Sequence, residues 1–209
     1  MRRTPEQAEQ TRLKVIDAGL RLFSQYGYSG TTLAMIAQDA GMSRGPIYWH
    51  FKNKDELFEA VLAYSQTPLQ ALVQAARADT PDPVTRMSDF IAGWFDRLVD
   101  DKRHRQSFEI LMNKTELTQR MARTVRRERE LTRAIIDLFE NLIDEARAQD
   151  LLPAGDPAPA LALQTYTYLM GVTQTWLFAP RLFSLRQQKA YFHRKCLATL
   201  YGRAEIPPV

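Results

Sequence analysis

The sequence predicts an all-α protein of about nine helices, and three observations carry that prediction. Apolar residues recur at steps of three and four almost throughout. No convincing period-two run marks a strand. Glycine- and proline-containing breaks separate the helical stretches, with short helices in front and long ones behind.

Each element has a local reason. Leu13, Ile16, Leu20 and Phe23 form one stripe on a first helix from about Pro5 to Tyr26, which Gly27 stops; Pro5 suits a first turn, where its missing N–H costs nothing. Thr31 or Thr32 caps a second, short helix that carries Leu33, Ile36 and Ala37 and ends at Gly41. Ser43 caps a third from Arg44 to about His50. Asn53 with Glu56 resembles a capping box and opens a fourth through Leu57, Phe58, Val61 and Leu62. Pro68 kinks or ends that helix, because it removes a donor and crowds the preceding turn. After a loop over Asp79–Pro83, helices follow at about Val84–Asp101, His104–Asn113 and Leu117–Gln149. A loop at Leu152–Pro157 precedes two last helices, about Ala158–Ala179 and Leu185–Tyr201, and the tail Ile206–Val209 is expected to fray.

Composition excludes several classes. The 209 residues are 45% hydrophobic and 25% charged, an ordinary globular balance long enough to bury a core. One cysteine, Cys196, makes neither an intrachain disulfide nor a thiolate zinc site. His50, His104 and His193 stand far apart without metalloprotease spacing, and no glycine-rich phosphate loop is present. No metal, cofactor or catalytic constellation is expected, and so no enzyme. With no 18-residue apolar run and no apolar stretch behind the first arginines, neither a membrane span nor a secretory signal is expected, which points to a cytoplasmic, reduced protein. Net charge is +4, a weak preference for polyanions. Its distribution says more: between Ala40 and Lys54 stand Arg44, Lys52 and Lys54 and no acid.

Residues 32–51, TLAMIAQDAGMSRGPIYWHF, have helix-turn-helix spacing, two short helices meeting at Gly41. Ile36, Ala37 and Ala40, with Ile47 and Phe51, would face a core built on Leu20 and Phe23, leaving Arg44, Gly45, Tyr48 and Trp49 outside. In such a motif the start of the second helix meets base edges in the major groove. Arg44 stands there, and its fork fits the O6 and N7 of guanine. Gly45 and Pro46 add little bulk, so backbone and groove floor come close. Tyr48, His50 and Lys54 are phosphate candidates, as are the N–H groups near Thr32 and Asn53. The plainer alternatives are core aromatics at Tyr48 and Trp49, threonines that only cap, and a motif that is merely a structural corner.

The segment TTLAMIAQDAGMSRGPIYWHFKNKDELF at 31–58, with TRLKVIDAGLRLFSQYGY at 11–28, resembles the signature of the TetR family of bacterial transcriptional regulators. RGPIYWHFK at 44–52, ILMNKTEL at 110–117 and WLFAPRLFSL at 176–185 are similar to its AcrR/TtgR-like branch, whose members repress multidrug efflux operons. The resemblance implies a DNA-binding domain over 1–53 and a ligand-binding and dimerisation domain over 54–209. It places Thr31, Thr32, Ser43, Arg44, Gly45, Tyr48, Trp49, His50 and Lys54 on DNA-contacting positions; Pro46 departs from the small alanine or threonine usual there.

Behind the motif the chain offers aromatic density, with Phe90, Trp94, Phe95 and Phe108 from the middle helices and eight aromatics from Tyr166 to Tyr201. Most read as core. The stretch Leu161–Phe178 is nevertheless apolar on more than one face, and its Thr165, Thr173 and Gln174 need hydrogen-bond partners if buried. An apolar cavity with a few polar groups suits a small-molecule site, to which Trp94 and Phe95 are candidates. The family resemblance adds Asn113, Tyr166, Leu169 and Met170 as pocket positions and a homodimer through the last two helices. Some relatives carry an acid at position 66 or 170; Gln66 and Met170 here imply neutral hydrophobic effectors rather than cations. The arginine-rich stretch Arg120–Arg133 reads as a solvated helix face, Cys196 as a small buried residue, and Pro68 as a bend between reader and sensor. Three readings stay open: an efflux repressor, a regulator of lipid or aromatic catabolism on the same fold, and a helical enzyme or interaction module with an incidental motif.

Overall fold

The computed structural model describes residues 4–78, 82–113 and 121–201. Ten helices are present among them: α1 (Pro5–Gly30), α2 (Leu33–Asp39), α3 (Gly45–His50), α4 (Lys54–Ser65), α5 (Thr67–Ala76), α6 (Pro83–Asp100), α7 (Lys102–Asn113), α8 (Ala122–Ala148), α9 (Ala158–Phe178) and α10 (Leu185–Ala198). The expected start of the long helix at Leu117, Arg120, the turn over 79–81 and the tail Ile206–Val209 lie outside the described residues. The tenth helix comes from Pro68. Rather than kinking one helix, the chain ends α4 at Ser65, passes Gln66 as its C-cap, and restarts with Pro68 in the first turn of α5, where proline is tolerated.

The chain forms two compact units, Met1–Thr67 with Arg103–Arg127, and Pro68–Lys102 with Glu128–Val209. By packing, the first unit therefore reaches beyond the boundary expected at 53/54. It retains α4 and takes in α7 with the start of α8. The physical reason is its core, in which Ile16, Leu20, Phe23, Ile36, Ile47, Phe51, Leu57, Phe58, Val61 and Leu62 are buried together with Ile110 and Met121.

Helix α1 is the spine of this unit, packing on α4, α2 and α3. Thr4 caps it in a reciprocal box with Gln7, and its regular course breaks at Gly27, whose φ of 73° is left-handed. In the second unit α6 packs on α10 and α9. Phe90, Trp94, Phe95, Leu98, Phe139, Leu142 and Leu169 fill its core. The guanidinium of Arg86, buried, pairs with the Glu145 carboxylate and donates to the Ala76 carbonyl, which ties α6 to α8 and α5.

Candidate nucleic-acid interface

The reader is assembled from two short helices that cannot stand alone. Thr32 caps α2, its hydroxyl accepting the Met35 N–H at 3.2 Å. After Ala40 the chain reverses through Gly41 at φ 67°. The Met42 N–H donates to the Ala37 carbonyl at 2.9 Å and the Gly41 N–H to Gln38 at 3.0 Å, so the orphan carbonyls of α2 are satisfied while the chain turns. Arg21 donates twice to the Asp39 carboxylate, at 2.6 and 3.1 Å, and holds the end of α2 against α1.

Helix α3 is fixed from below. Ile47 is fully buried, and Phe51, at its C-cap, is nearly so. The Arg12 guanidinium lies 5.8 Å from the Phe51 ring centroid. At about 100° per residue, Trp49 turns roughly 200° away from Ile47 and Tyr48 about 100°. The exposures follow: Trp49 is 89% and Tyr48 57% accessible, values unusual for aromatics. Arg44 and Gly45 are exposed at the leading end of α3, and a Cβ added to Gly45 would meet nothing within 4 Å. Pro46 takes a first-turn place. His50 is half-buried with its ring tilted on Phe51.

Three residues expected at this interface sit differently. Ser43 is exposed but caps nothing: the N-cap of α3 is Arg44, which makes no side-chain cap bond. Thr31, expected to touch DNA, is fully buried, and its hydroxyl donates to the carbonyls of Gly27 at 2.7 Å and Leu22 at 3.2 Å. It closes the break that Gly27 opens. Lys54, expected to reach for phosphate, turns inward. Its Nζ donates to the Tyr28 carbonyl at 2.9 Å and the Thr31 carbonyl at 3.0 Å, and lies 4.1 Å from the Tyr28 ring centroid. Burial draws its pKa below the ordinary lysine value, against the opposite pull of Asp55.

Asn53 caps α4 by accepting the Glu56 N–H at 2.9 Å, while the Glu56 carboxylate accepts the N–H of Lys52 at 2.7 Å, one residue earlier than a standard box. The Tyr28 hydroxyl donates to Asp55. Tyr28, Asp55, Arg12 and Arg21, which position the reader, carried no sequence signal, because their partners are distant in the chain.

The candidate effector residues divide between the units. Gln66, buried at the end of α4, and Asn113, exposed at the end of α7, belong to the first. Trp94, Phe95, Tyr166, Leu169 and Met170 belong to the second. There Trp94, Phe95 and Leu169 are buried in the core. The Trp94 indole N–H donates to Thr173 Oγ1 at 3.0 Å, and Thr173 donates on to the Leu169 carbonyl at 2.7 Å. Thr165 likewise donates to Leu161 at 2.8 Å, so both buried threonines have the partners that burial demands. Tyr166 is half-buried, its hydroxyl 3.0 Å from that of Thr132; burial raises its pKa, with Thr132 lowering and Glu128 raising it. Met170 is half-buried on the same helix.

Residues 15–61 match the model of the bacterial regulatory proteins of the tetR family, and residues 82–201 match that of the C-terminal region of MAATS-type transcriptional repressors. The chain is 34% identical over 188 residues to the HTH-type transcriptional regulator AcrR of Shigella flexneri, covering 90% of this chain and 87% of that one. Its fold is similar to that of NalD, the secondary repressor of the MexAB-OprM multidrug efflux pump in Pseudomonas aeruginosa, with a TM-score of 0.82 and 27% identity, covering 95% of this chain and all of that one. It is also similar to the SmeT–triclosan complex, SmeT being the repressor of the Stenotrophomonas maltophilia multidrug efflux pump SmeDEF, with a TM-score of 0.78, 27% identity and 96% of each chain covered.

Proposed function

The chain belongs to the TetR family of bacterial regulatory proteins, and on that premise we propose that it is a ligand-responsive repressor. A cytoplasmic homodimer holds the operator of a multidrug efflux operon until a hydrophobic small molecule releases it. One observation carries the reading above the others: Ile47 is sealed in the core while Arg44 at the N-cap of α3, and Tyr48 and Trp49 turned away from Ile47, stand exposed. Two exposed aromatics beside an exposed arginine on a six-residue helix have no use within the fold.

Residues 1–53 read DNA, with α3 in the major groove, Arg44 on a guanine edge, and Thr32, Ser43, Tyr48 and His50 around it on the backbone. Residues from 54 onward sense and dimerise. Leu163 and Phe178 on α9, Leu182 in the following turn and Tyr191 on α10 are all exposed, and a second copy across a two-fold axis covers such apolar surface. Reading successive major grooves requires the two α3 helices of such a dimer to stand about 34–36 Å apart, one helical turn of DNA. An effector that favours a different separation releases DNA in proportion to its differential affinity, typically about 1–3 kcal/mol. Tyr166, Leu169 and Met170, with Trp94, Phe95, Gln66 and Asn113, are the effector candidates. Uncharged side chains at 66 and 170 favour neutral aromatics, in keeping with triclosan on a relative.

The test is selection of duplexes from a random pool, followed by titration with triclosan and with a lipophilic cation of similar size. Salt-dependent, sequence-selective binding that triclosan reverses is expected. Equal binding to all duplexes, or better release by the cation, would contradict the proposal.

A further inference from the structure

We propose that the first turns of α8 form a second DNA-binding surface, on which Arg123 and Arg126 neutralise operator phosphates outside the groove that α3 reads. The inference rests on the operator-binding reading above and adds a surface to it.

The face of the helix is set by burial. Met121 and Thr124 are buried in the first unit, and Arg127, half-buried, donates to the Ala63 carbonyl of α4 at 3.3 Å. These three residues step by three along one side. At about 100° per residue Arg126 lies on the side away from Thr124 and Arg123 on the flank between, and both are exposed. They stand one turn apart, about 4.5 Å along the axis.

Their neighbourhood makes the partner DNA. Ala122 and Arg123 line a cleft of about 460 Å³ with Lys52, Asn53, Asp55, Glu56 and Glu59. Lys52 follows α3 by two residues, so the cleft opens beside the end of the recognition helix. A helix lying in a major groove has the sugar–phosphate walls passing its ends, and those walls carry one charge per about 1.7 Å of axis. The carboxylates of Asp55, Glu56 and Glu59 line the same cleft, Asp55 turned to the Tyr28 hydroxyl and Glu56 to the Lys52 amide. Three carboxylates keep a phosphate strand out of the cleft, so it meets the exposed side chains of Lys52 and Arg123 instead. Arg126, also exposed, stands one helical turn further along α8. The planar fork of arginine suits phosphate oxygens.

The experiment compares the full-length chain with Arg123→Gln/Arg126→Gln on a selected duplex, once with about ten flanking base pairs on each side and once trimmed. Arg181→Gln, an exposed arginine of the second unit, is the control for net charge. On the flanked duplex the slope of log affinity against log salt is expected to fall by about 0.9 for each phosphate no longer neutralised per protomer, with roughly tenfold weaker binding for each such phosphate near 50 mM salt. Affinity for the trimmed duplex should not change, and the far-UV circular dichroism should stay that of the parent. The proposal is overturned if the double variant keeps the parental slope on both duplexes, or if Arg181→Gln lowers it equally; either result leaves operator binding itself intact. A parent chain that does not prefer the selected duplex removes the operator reading, and this inference with it.

Discussion

Replacing Lys54 by methionine separates two roles for one charge. In the folded protein its ammonium donates to two carbonyls, at 2.9 and 3.0 Å, where the chain leaves α1 and turns toward α2. A hydrogen bond from a charged donor contributes about 1.5–3 kcal/mol when well buried. The site is partly open, so water recovers part of each bond, leaving about 1 kcal/mol apiece. The ammonium over the Tyr28 ring, at 4.1 Å, adds about 0.5–1 kcal/mol. Methionine keeps much of the stem's packing, so the loss is about 2 kcal/mol. For a chain of this size that lowers Tm by about 4–8 °C. The assay is thermal unfolding followed by circular dichroism, paired with the salt dependence of binding to a selected duplex. Because the ammonium faces carbonyls, the salt slope should stay at the parental value. An unchanged Tm together with a slope reduced by about 0.9 per protomer would refute the reasoning and return Lys54 to the phosphate backbone.

Arg44→Ala is expected to leave Tm unchanged, since the side chain is exposed, while lowering discrimination between selected and random duplexes by about 1–3 kcal/mol per half-site; equal weakening on both would count against base reading. Asp82 caps α6, accepting the Thr85 hydroxyl at 2.6 Å and the N–H groups of Val84 and Thr85 at 3.0 Å. These bonds, that of the Thr85 hydroxyl first, hold its pKa below 3.8. Its extra stability is therefore present above the unfolded value and lost as pH falls through the folded one. Asp82→Ala should cost about 1 kcal/mol at pH 7 in urea denaturation, and the difference should shrink below pH 3.8; a constant difference down to the acid limit would show that the carboxylate is not the cap. Burial pushes the Cys196 thiol up to about 12. It should resist Ellman's reagent at pH 8 until the protein unfolds, and prompt labelling of the native chain would show the helix end to be open.

Much of the reader was legible in the chain itself. Ile36, Ala37, Ile47 and Phe51 are buried as their spacing requires, and Gly41 adopts the left-handed turn that a reversal between two short helices needs. The outward side of α3 follows from the same periodicity, since a helix that buries Ile47 has to present Trp49. The effector residues were less legible. Trp94, Phe95 and Leu169 are apolar whether they line a cavity or fill a core, and periodicity does not distinguish those outcomes. Placing Pro68 correctly needed only the rule that proline opens helices more readily than it interrupts them.

What the sequence determined by itself is the set of helices, the turn between α2 and α3, and the residues that turn exposes, because these depend on neighbours within one or two helical turns. Tertiary structure alone decided the direction of the long polar side chains. Lys54 points inward because carbonyls 26 and 23 positions earlier stand within reach, and Thr31 because Leu22 and Gly27 do. It also decided that Arg123 shares a cleft with Lys52, about seventy positions apart in the chain. Such meetings depend on how the helices pack, and a local pattern carries no information about them.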